Sequence, residues 1–194
     1  EITNPESSEL EKARDKAKEN NLDIKFIKHD ARKLPFNKDF DVAIMLCEGG
    51  FPLMETDEMN FEILKNIAKS LQAEGKFIFT TLNGLFPLYH SVEKFLAEES
   101  KDGNATYGSN SFDLMTFRDL NITEFTDDIG NKKTLECNER YYVPSEINWL
   151  LKSLGFGKIE IFGAKLGAFS RKDKLTTEDF EMLIISEKNK TTKA

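Results

Sequence analysis

Two short apolar runs near the start of the chain each end in residues that could bind a ligand. The run Ile24–Ile27 is followed by the carboxylate of Asp30, and the run Val42–Leu46 is followed by CEGG at residues 47–50. In an open α/β sheet, ligands bind in the crevice beyond the carboxyl ends of the parallel strands. If both runs are strands of one sheet, Asp30 and residues 47–50 lie at the rim of a single crevice.

The first of these runs follows a predicted helix. Ser8 and Glu11 form a capping box, and small apolar residues at helical spacing predict a helix over residues 9–19. The run itself predicts a strand over residues 24–28. A helix followed by a strand after a short connection is typical of α/β proteins.

The second run is continuously apolar, which is typical of a parallel strand covered on both faces. Thr56 then caps a helix with one apolar stripe, which we expect to end at Gly75. A strand follows over residues 76–82. This alternation of helix and strand predicts a mostly parallel sheet with covering helices.

Residues 83–143 interrupt the alternation. Pro87 could start a helix with an apolar face, and the Gly-, Asn- and Ser-rich residues 101–111 predict a loop. Three β segments are predicted next, the last two joined by a turn at residues 127–131. Those segments are residues 112–118, 121–126 and 133–142. We interpret the block as an inserted α+β lid that lies over the carboxyl edge of the sheet.

Alternation resumes with a helix capped by Ser145 and with strands at residues 158–162 and 182–186. The long loop between these two strands favours an antiparallel terminal hairpin. The predicted fold class is therefore α/β, with a Rossmann-like, mostly parallel sheet. The predicted divisions are an α/β core of residues 1–82 and 144–187, an inserted substrate cap of residues 83–143, and a disordered charged tail of residues 188–194.

The bulk composition disfavours several classes of function. The 194 residues carry a net charge of −7, which counts against a nucleic-acid partner because such affinity comes largely from clustered Lys and Arg. Cys47 and Cys137 are far apart and indicate a reducing, cytoplasmic environment. No apolar run approaches the roughly 18 residues that could span a membrane.

Four stretches, taken in order, resemble the class I S-adenosylmethionine-dependent methyltransferases of the small-molecule type, near the ubiquinone and menaquinone biosynthesis group. The stretch FIKHDARKLPF is similar to the family segment in which an acidic residue follows the third strand, and ILKNIAKSLQAEGKFIF is similar to a family helix and its fifth strand. The four stretches are Leu10–Ala17, Phe26–Phe36, Phe40–Leu46 with Ile63–Phe79, and Tyr141–Phe162.

The resemblance implies S-adenosylmethionine as cofactor and a seven-stranded sheet with an antiparallel last strand. It implies that Asp30 accepts a hydrogen bond from the adenine amino group, with Ala31 and Arg32 beside the ring; the alternative is that Asp30 only caps a turn. Leu46 and Cys47 would line the methionine side of the cofactor. No His neighbours Cys47 in sequence, so a nucleophilic role for its thiol is not favoured.

The family's glycine-rich loop after its first strand is absent from this sequence. Glycines let the backbone approach the cofactor closely, and the first strand would lie beside the strand at residues 42–46. We therefore expect roughly forty or more preceding residues, on the scale of a βαβ unit, to complete the site. Glu1 could be the family's acidic residue that binds the ribose hydroxyls, and the resemblance implies no metal ion.

Methyl transfer needs mainly proximity, orientation and sometimes a base, so few dedicated catalytic residues are expected. An aromatic, apolar pocket would suit a small organic acceptor. Glu48 would face the substrate as a base or orienting acceptor, or it is a solvated loop charge. His90 is a second candidate base, or a satisfied histidine on a helix face. Aromatic residues expected to line the acceptor pocket are Phe51, Phe86, Tyr89, Tyr141 and Tyr142.

Two other functions remain open from the sequence. The first is a non-catalytic α/β binding or regulatory module that has lost the cofactor loop. The second is a nicotinamide-dependent dehydrogenase on a Rossmann sheet, which the Asp-Ala-x-x-Leu-Pro-Phe segment and the terminal hairpin disfavour.

Overall fold

The structure, a computed structural model, describes residues 7–46, 50–99, 105–127, 130–165 and 168–190. None of the helices in these ranges is long and apolar enough to cross a membrane. The helices are α1 (Ser7–Glu19), α2 (Asp57–Ser70), α3 (Val92–Glu99) and α4 (Pro144–Ser153), and the strands are β1 (Phe40–Met45), β2 (Leu71–Leu82), β3 (Ala105–Asp113), β4 (Arg118–Thr126), β5 (Lys132–Arg140), β6 (Phe156–Ala164) and β7 (Glu181–Lys188).

Four strands form the main sheet in the order β1-β2-β7-β6. β1 and β2 are parallel, whereas β7 is antiparallel to both of its neighbours, β2 and β6. β6 and β7 form the expected antiparallel hairpin, and β7 enters the sheet between β6 and β2. The predicted α/β fold with a Rossmann-like sheet and an antiparallel last strand is confirmed.

Helices α2 and α4 cover one face of this sheet. Thr56 caps α2 as predicted, since its Oγ1 accepts from the Met59 N–H at 3.3 Å. The inner side of α2, including Ile63, packs with Phe79 of β2 and Leu151 of α4 in one buried apolar core. This core fixes the start of α2 relative to the carboxyl end of β2.

The inserted block contains a separate antiparallel sheet of order β3-β4-β5, which we call the cap. The predicted turn between its last two strands is closed by Asp127, whose N–H donates to Asn131 and whose carbonyl accepts from Gly130, both at 2.9 Å. Gly130 has a φ of +87°, which suits glycine. The cap joins the core where Gly84 donates to the Tyr142 carbonyl at 2.9 Å.

The strand expected at residues 24–28 is wrong. This segment forms no strand, and the side chains of Ile24 and Ile27 are exposed. A strand needs a neighbour to satisfy its backbone groups, and no strand in the described ranges lies beside it. The segment is apolar as predicted, but no strand in the described ranges pairs with it.

The prediction that β1 is covered on both faces is also wrong for the described part of the chain. Ala43 and Met45 pack against the core, but Val42 and Ile44 are exposed on the other face, Ile44 by 64%. β1 pairs with β2 on one side only among the described residues. It is an apolar edge strand, and such edges invite pairing with another strand.

The helix expected to start at Pro87 is broken in two. Phe86–Leu88 forms a 3-10 turn, and α3 begins only at Val92. The Ser91 Oγ accepts from the Lys94 N–H at 3.3 Å and so caps α3 as a new helix. His90 consequently lies between the two elements and not on a helix face.

The boundaries expected for the first cap strand are wrong. β3 occupies residues that were expected to form a loop, and residues 114–117 form the turn before β4. Asp113 makes this turn, because its carboxylate accepts from the Met115 N–H and the Thr116 hydroxyl, both at 2.8 Å. Pairing with β4 outweighs the loop-like composition of Ala105–Asp113.

Two further boundaries differ from expectation. α2 ends at Ser70 and β2 begins at once, so Gly75 lies inside a strand, where an added Cβ would sit 3.0 Å from the Gln72 carbonyl oxygen. The tail begins later than residue 188, because the Lys188 ammonium donates to two carbonyls at the α2–β2 junction and the Asn189 N–H donates to Gly155. Residues 191–194 lie outside the described ranges.

Candidate functional site

Asp30 begins the 3-10 turn Ala31–Lys33 after the segment at residues 24–28. Its Oδ1 accepts from the Arg32 N–H at 2.9 Å, and both carboxylate oxygens accept from the Arg32 guanidinium at 2.9–3.1 Å. The guanidinium bonds, followed by the backbone bond, lower the pKa of Asp30. Asp30 therefore caps a turn, and its side chain, 38% exposed, remains open to a ligand.

Asn66 of α2 holds this turn against the core. Its Nδ2 donates to the Arg32 carbonyl at 2.8 Å and to the Glu62 carbonyl at 2.9 Å, and its Oδ1 accepts from the Leu34 N–H at 3.2 Å. The amide thus satisfies backbone groups on both sides of the turn. Ala31 and Leu34 pack against the main core beside it.

The other rim of the expected crevice is the end of β1. Leu46 follows the strand directly, and its side chain is exposed, so its apolar surface is open to a ligand. Cys47 and Glu48 come next in the chain but lie outside the described residues, as does Glu1. Their assigned roles in cofactor and substrate binding therefore stay predictions.

Residues 50–56, which connect the β1 end to α2, are held by the cap through backbone carbonyls. The Pro52 carbonyl accepts from the Arg140 N–H at 3.2 Å, the Met54 carbonyl from the Arg118 guanidinium at 2.8 Å, and the Glu55 carbonyl from the Asn138 amide at 3.5 Å. The cap and this connection therefore form one hydrogen-bonded unit beside the predicted crevice.

Two arginines directly opposite each other on β4 and β5 make the charged part of this junction. Arg118 donates to Asp57 Oδ1 at 2.6 Å, and Arg140 donates to Asp57 Oδ2 at 3.3 Å and to Glu146 at 2.6 Å. Like charges that face each other on neighbouring strands repel, and the carboxylates of Asp57 and Glu146 offset that repulsion. Glu146 also accepts from the Val143 N–H at 2.8 Å at the start of α4.

Tyr142 connects this junction to the core. The Arg140 guanidinium lies 4.5 Å from its ring centroid, the Asn60 amide donates to its hydroxyl at 3.2 Å, and its ring stacks on Phe51 at 4.8 Å. Burial, and then the charge of Asp57, strongly raise the pKa of Tyr142. The phenol stays protonated at neutral pH and acts as a structural hydrogen-bonding group.

Most of the aromatic residues expected to line an acceptor pocket are core residues. Phe51 and Tyr141 have no exposed surface, because Phe51 packs edge-on against Phe79 and Tyr141 packs edge-on against Phe112 and Phe180. Phe86 is also buried, in the second apolar cluster with Tyr141. We therefore assign Phe51, Phe86 and Tyr141 to packing. Tyr89 is 71% exposed and forms no part of a buried pocket.

His90 lies next to that second cluster. Its ring stacks on Phe86 at 4.6 Å between centroids, and its Nε2 lies 3.2 Å from a Glu178 carboxylate oxygen. The Glu178 carboxylate and the Phe86 ring together fix the orientation of the imidazole. The structure thus gives His90 a partner on the loop before β7, and its role as a base stays a prediction.

The described residues fit part of an S-adenosylmethionine site. Asp30 supplies an acceptor that is ionised and oriented by Arg32, and Leu46 supplies exposed apolar surface at the end of a parallel strand. Among the described residues, no group of three or more His, Cys, Asp or Glu side chains could hold a metal ion.

Solved structures with the same fold include methyltransferases. An S-adenosylmethionine-dependent methyltransferase from Clostridium acetobutylicum aligns with a TM-score of 0.66 at 14% identity, covering 94% of this chain and 72% of that chain. The CcbJ methyltransferase from Streptomyces caelestis aligns with a TM-score of 0.66 at 13% identity, covering 92% and 75%. A protein from Pyrococcus horikoshii aligns with a TM-score of 0.60 at 21% identity, covering 94% and 70%.

Sequence comparison identifies no matching protein family and no similar curated protein. The likeness to solved structures therefore defines the fold alone, a Rossmann-like α/β fold that these methyltransferases share. The ubiquinone-like subgroup is not distinguished by these structures.

Sequence reasoning missed Asn66, Asp57, Arg118 and Arg140, which build the surroundings of the site. Each binds a residue far away in the chain; for example, Arg118 and Asp57 are 61 positions apart. One signal was present in the sequence: arginines at or near the ends of two predicted strands in an acidic protein indicate that carboxylate partners should be sought. Asp57 was read only as a favourable charge in the first turn of α2.

Proposed function

We propose that this protein is an S-adenosylmethionine-dependent methyltransferase that acts on a small-molecule acceptor. One observation carries the proposal. β7 enters antiparallel between β2 and β6, and a separate antiparallel cap is inserted after β2. The aligned methyltransferases cover nearly all of these elements. The cofactor would bind beyond the carboxyl end of β1.

Each residue of the crevice has a proposed part. Asp30 accepts from the adenine amino group while Arg32 keeps its carboxylate ionised and oriented, and the Ala31 backbone lies against the ring. Leu46 and Cys47 pack against the methionine side. The bound cofactor supplies an electrophilic methyl group, and Glu48 or His90 takes the proton of the acceptor.

A preceding segment of the protein, with the glycine-rich loop, would pair with the free edge of β1. The exposed apolar side chains of Val42 and Ile44 support this proposal, since a paired and covered strand would bury them. The segment at residues 24–28 would then also have a neighbouring strand with which to pair. We further propose a cytoplasmic location and no nucleic-acid partner, on the basis of cysteine usage and the net charge of −7.

The test is calorimetric titration of S-adenosylhomocysteine into the full-length protein and, in parallel, into the 1–194 chain. Micromolar binding by the full-length protein, with much weaker binding by 1–194, supports both the cofactor and the missing loop. Asp30→Ala in the full-length protein should weaken binding about tenfold, the cost of one charge-assisted hydrogen bond.

Asp113→Ala is the matched control, because Asp113 also caps an exposed turn but lies in the cap, where it should leave affinity unchanged. Equal loss in both variants would contradict the role of Asp30.

A non-catalytic binding or regulatory module is the second candidate. It is favoured by the engagement of both Asp30 oxygens by Arg32 and by the absence of a glycine-rich loop from this sequence. If the full-length protein fails to bind S-adenosylhomocysteine, this second function replaces the first.

A further inference from the structure

A pocket of about 570 Å³ lies between the first turns of α2 and α4. Its volume is in the range of small-molecule sites. Aromatic rings from three elements form its walls: Phe61 of α2, Tyr142 before α4 and Trp149 of α4. None of the described residues assigned to the cofactor lines it. Tyr142, one of the aromatic residues expected around the acceptor, lines this pocket, but the methyl transfer proposed above assigns no step to it.

An exposed tryptophan marks the mouth of the pocket. Trp149 is 69% exposed, although it is the largest apolar side chain available to the core of this protein. Leu150 follows it in the pocket wall and packs partly against the main core. An aromatic face held open to solvent beside a pocket is a surface on which a ligand can stack.

Carboxylates dominate the charge around these rings. Asp57, Glu58 and Glu146 line the pocket, whereas Arg140 is its one cationic lining residue in the described part of the chain. The Asp57 and Glu146 side chains are 53% and 39% exposed, but the Arg140 side chain only 9%. Solvent, and any ligand, therefore meets the carboxylates more readily than the guanidinium.

Arg140 is also already engaged. Its nitrogens donate to Asp57, Glu146 and the Tyr141 carbonyl, and its flat face lies on the Tyr142 ring. Arg118 balances part of the charge of Asp57 from outside the pocket. Glu58, in the exposed first turn of α2, adds a carboxylate at the rim.

We propose that this pocket binds an organic cation, an amine or quaternary ammonium group carried on an apolar body. The apolar body would stack between Phe61 and Trp149. The cationic head would face Glu58 at the rim, because both oxygens of Asp57 and of Glu146 already accept hydrogen bonds at the junction. Aromatic faces attract cations directly, and the acidic protein would steer them towards the mouth. The inference stands whether or not the protein transfers methyl groups.

Trp149 is the only tryptophan in the chain, so its fluorescence reports on this pocket alone. The 1–194 chain is titrated with benzyltrimethylammonium, with benzyl alcohol as a neutral probe and phenylacetate as an anionic probe. We expect saturable quenching by the cation, binding at least about tenfold weaker for benzyl alcohol, and none for phenylacetate.

Glu58→Gln removes one rim carboxylate without touching either arginine and should weaken binding of benzyltrimethylammonium several-fold. Glu62→Gln is the matched control, because Glu62 lies one turn further along α2, pairs with Lys65 at 2.8 Å and does not line the pocket. Trp149→Phe keeps an aromatic wall, and calorimetry should show that it retains binding, whereas Trp149→Ala should lose it.

Linear, unsaturable quenching would mean only collisions with an exposed ring and would overturn the proposal. Equal affinity for benzyl alcohol, or equal loss in Glu58→Gln and Glu62→Gln, would overturn the assignment of a cationic ligand. Thermal melts of each variant check that the pocket is folded when it is tested.

Discussion

The half of the molecule built on β2, β7, α2 and α4 is packed, whereas the half built on β1 and residues 22–46 leaves apolar side chains in solvent. Ile63 of α2 is 1% exposed, but Ile44 of β1 is 64% exposed, and Leu22, Ile24 and Val42 are exposed as well. Both halves are rich in the same apolar residue types. The difference lies in the neighbours that each half has among the described residues.

This contrast indicates what kind of surface the β1 half presents. Scattered apolar residues are normal on a protein surface, but a run of them along an unpaired strand edge is a place where another strand adds. The packed half contains the cap and the pocket between α2 and α4. The β1 half contains the predicted cofactor crevice. We therefore expect the two halves to respond very differently to the same substitution.

The largest contrast should come from replacing isoleucine by alanine in each half. Ile63→Ala creates a cavity in the main core and should lower the free energy of unfolding by about 2–5 kcal/mol. Ile44→Ala, with the same change of side chain, should alter it by no more than about 0.5 kcal/mol. Urea denaturation of both variants gives the comparison, and equal losses would show that the edge of β1 is covered in solution.

Removing Arg118, one of the two buried arginines of the junction, should have the next largest effect on the free energy of unfolding. Arg118→Met leaves Asp57 with one partner and frees the Met54 carbonyl, so we expect a loss of about 2 kcal/mol, reduced from the fully buried case because Asp57 is half exposed. Hydrogen exchange of residues 50–56 should rise with it.

Arg171→Met is the control for Arg118→Met, because Arg171 makes an exposed ion pair with Glu160 at 3.0 Å and should cost less than about 1 kcal/mol. If both variants lose the same stability, the junction is no stronger than a surface ion pair.

The packed half was more predictable from the sequence, because its helices and strands are specified by patterns of neighbouring residues. The apolar stripe and Thr56 cap of α2 and the apolar runs of β2 and β7 carry their own signals, and their partners are all within the described chain. The strand expected at residues 24–28 carried an equally good signal. It failed because a strand depends on a neighbour that no local pattern supplies.

The candidate site was predictable only in part for a related physical reason. The position of Asp30 at the end of an apolar run was visible in the sequence. Its anchoring by Asn66 and the junction of Arg118 with Asp57 were not, because tertiary packing brings together residues 34 or 61 positions apart. The burial of Phe51 against Phe79 and of Tyr141 against Phe112 likewise follows from tertiary packing, which residue type alone does not indicate.

Asn66 is one of several polar links between the two halves, so its removal should have an intermediate effect. Asn66→Ala leaves the Arg32 carbonyl and the Leu34 N–H without their partner, and we expect a loss of about 1–2 kcal/mol. Hydrogen exchange should increase around residues 31–34 and stay unchanged in β7. A uniform increase across the protein would instead mean that the turn and the core unfold together.

The smallest effect should be the titration of Asp30, which tests whether the turn in the exposed half is formed in solution. The guanidinium and backbone bonds from Arg32 lower its pKa, so an NMR titration of its carboxyl carbon should give a value below the ordinary value of about 3.9. Arg32→Met should return the pKa towards that ordinary value. Because the folded pKa is the lower one, the stabilisation is present above the unfolded pKa and is lost as the pH falls through the folded pKa.

The difference in stability between the wild-type protein and Arg32→Met should therefore be constant above about pH 5 and should close in more acidic solution. An ordinary pKa for Asp30 in the wild-type protein would show that the turn does not hold in solution. In that case the exposed half, including the turn at residues 31–33, is loosely ordered in solution. A depressed pKa would show that this rim of the predicted crevice is already formed in solution.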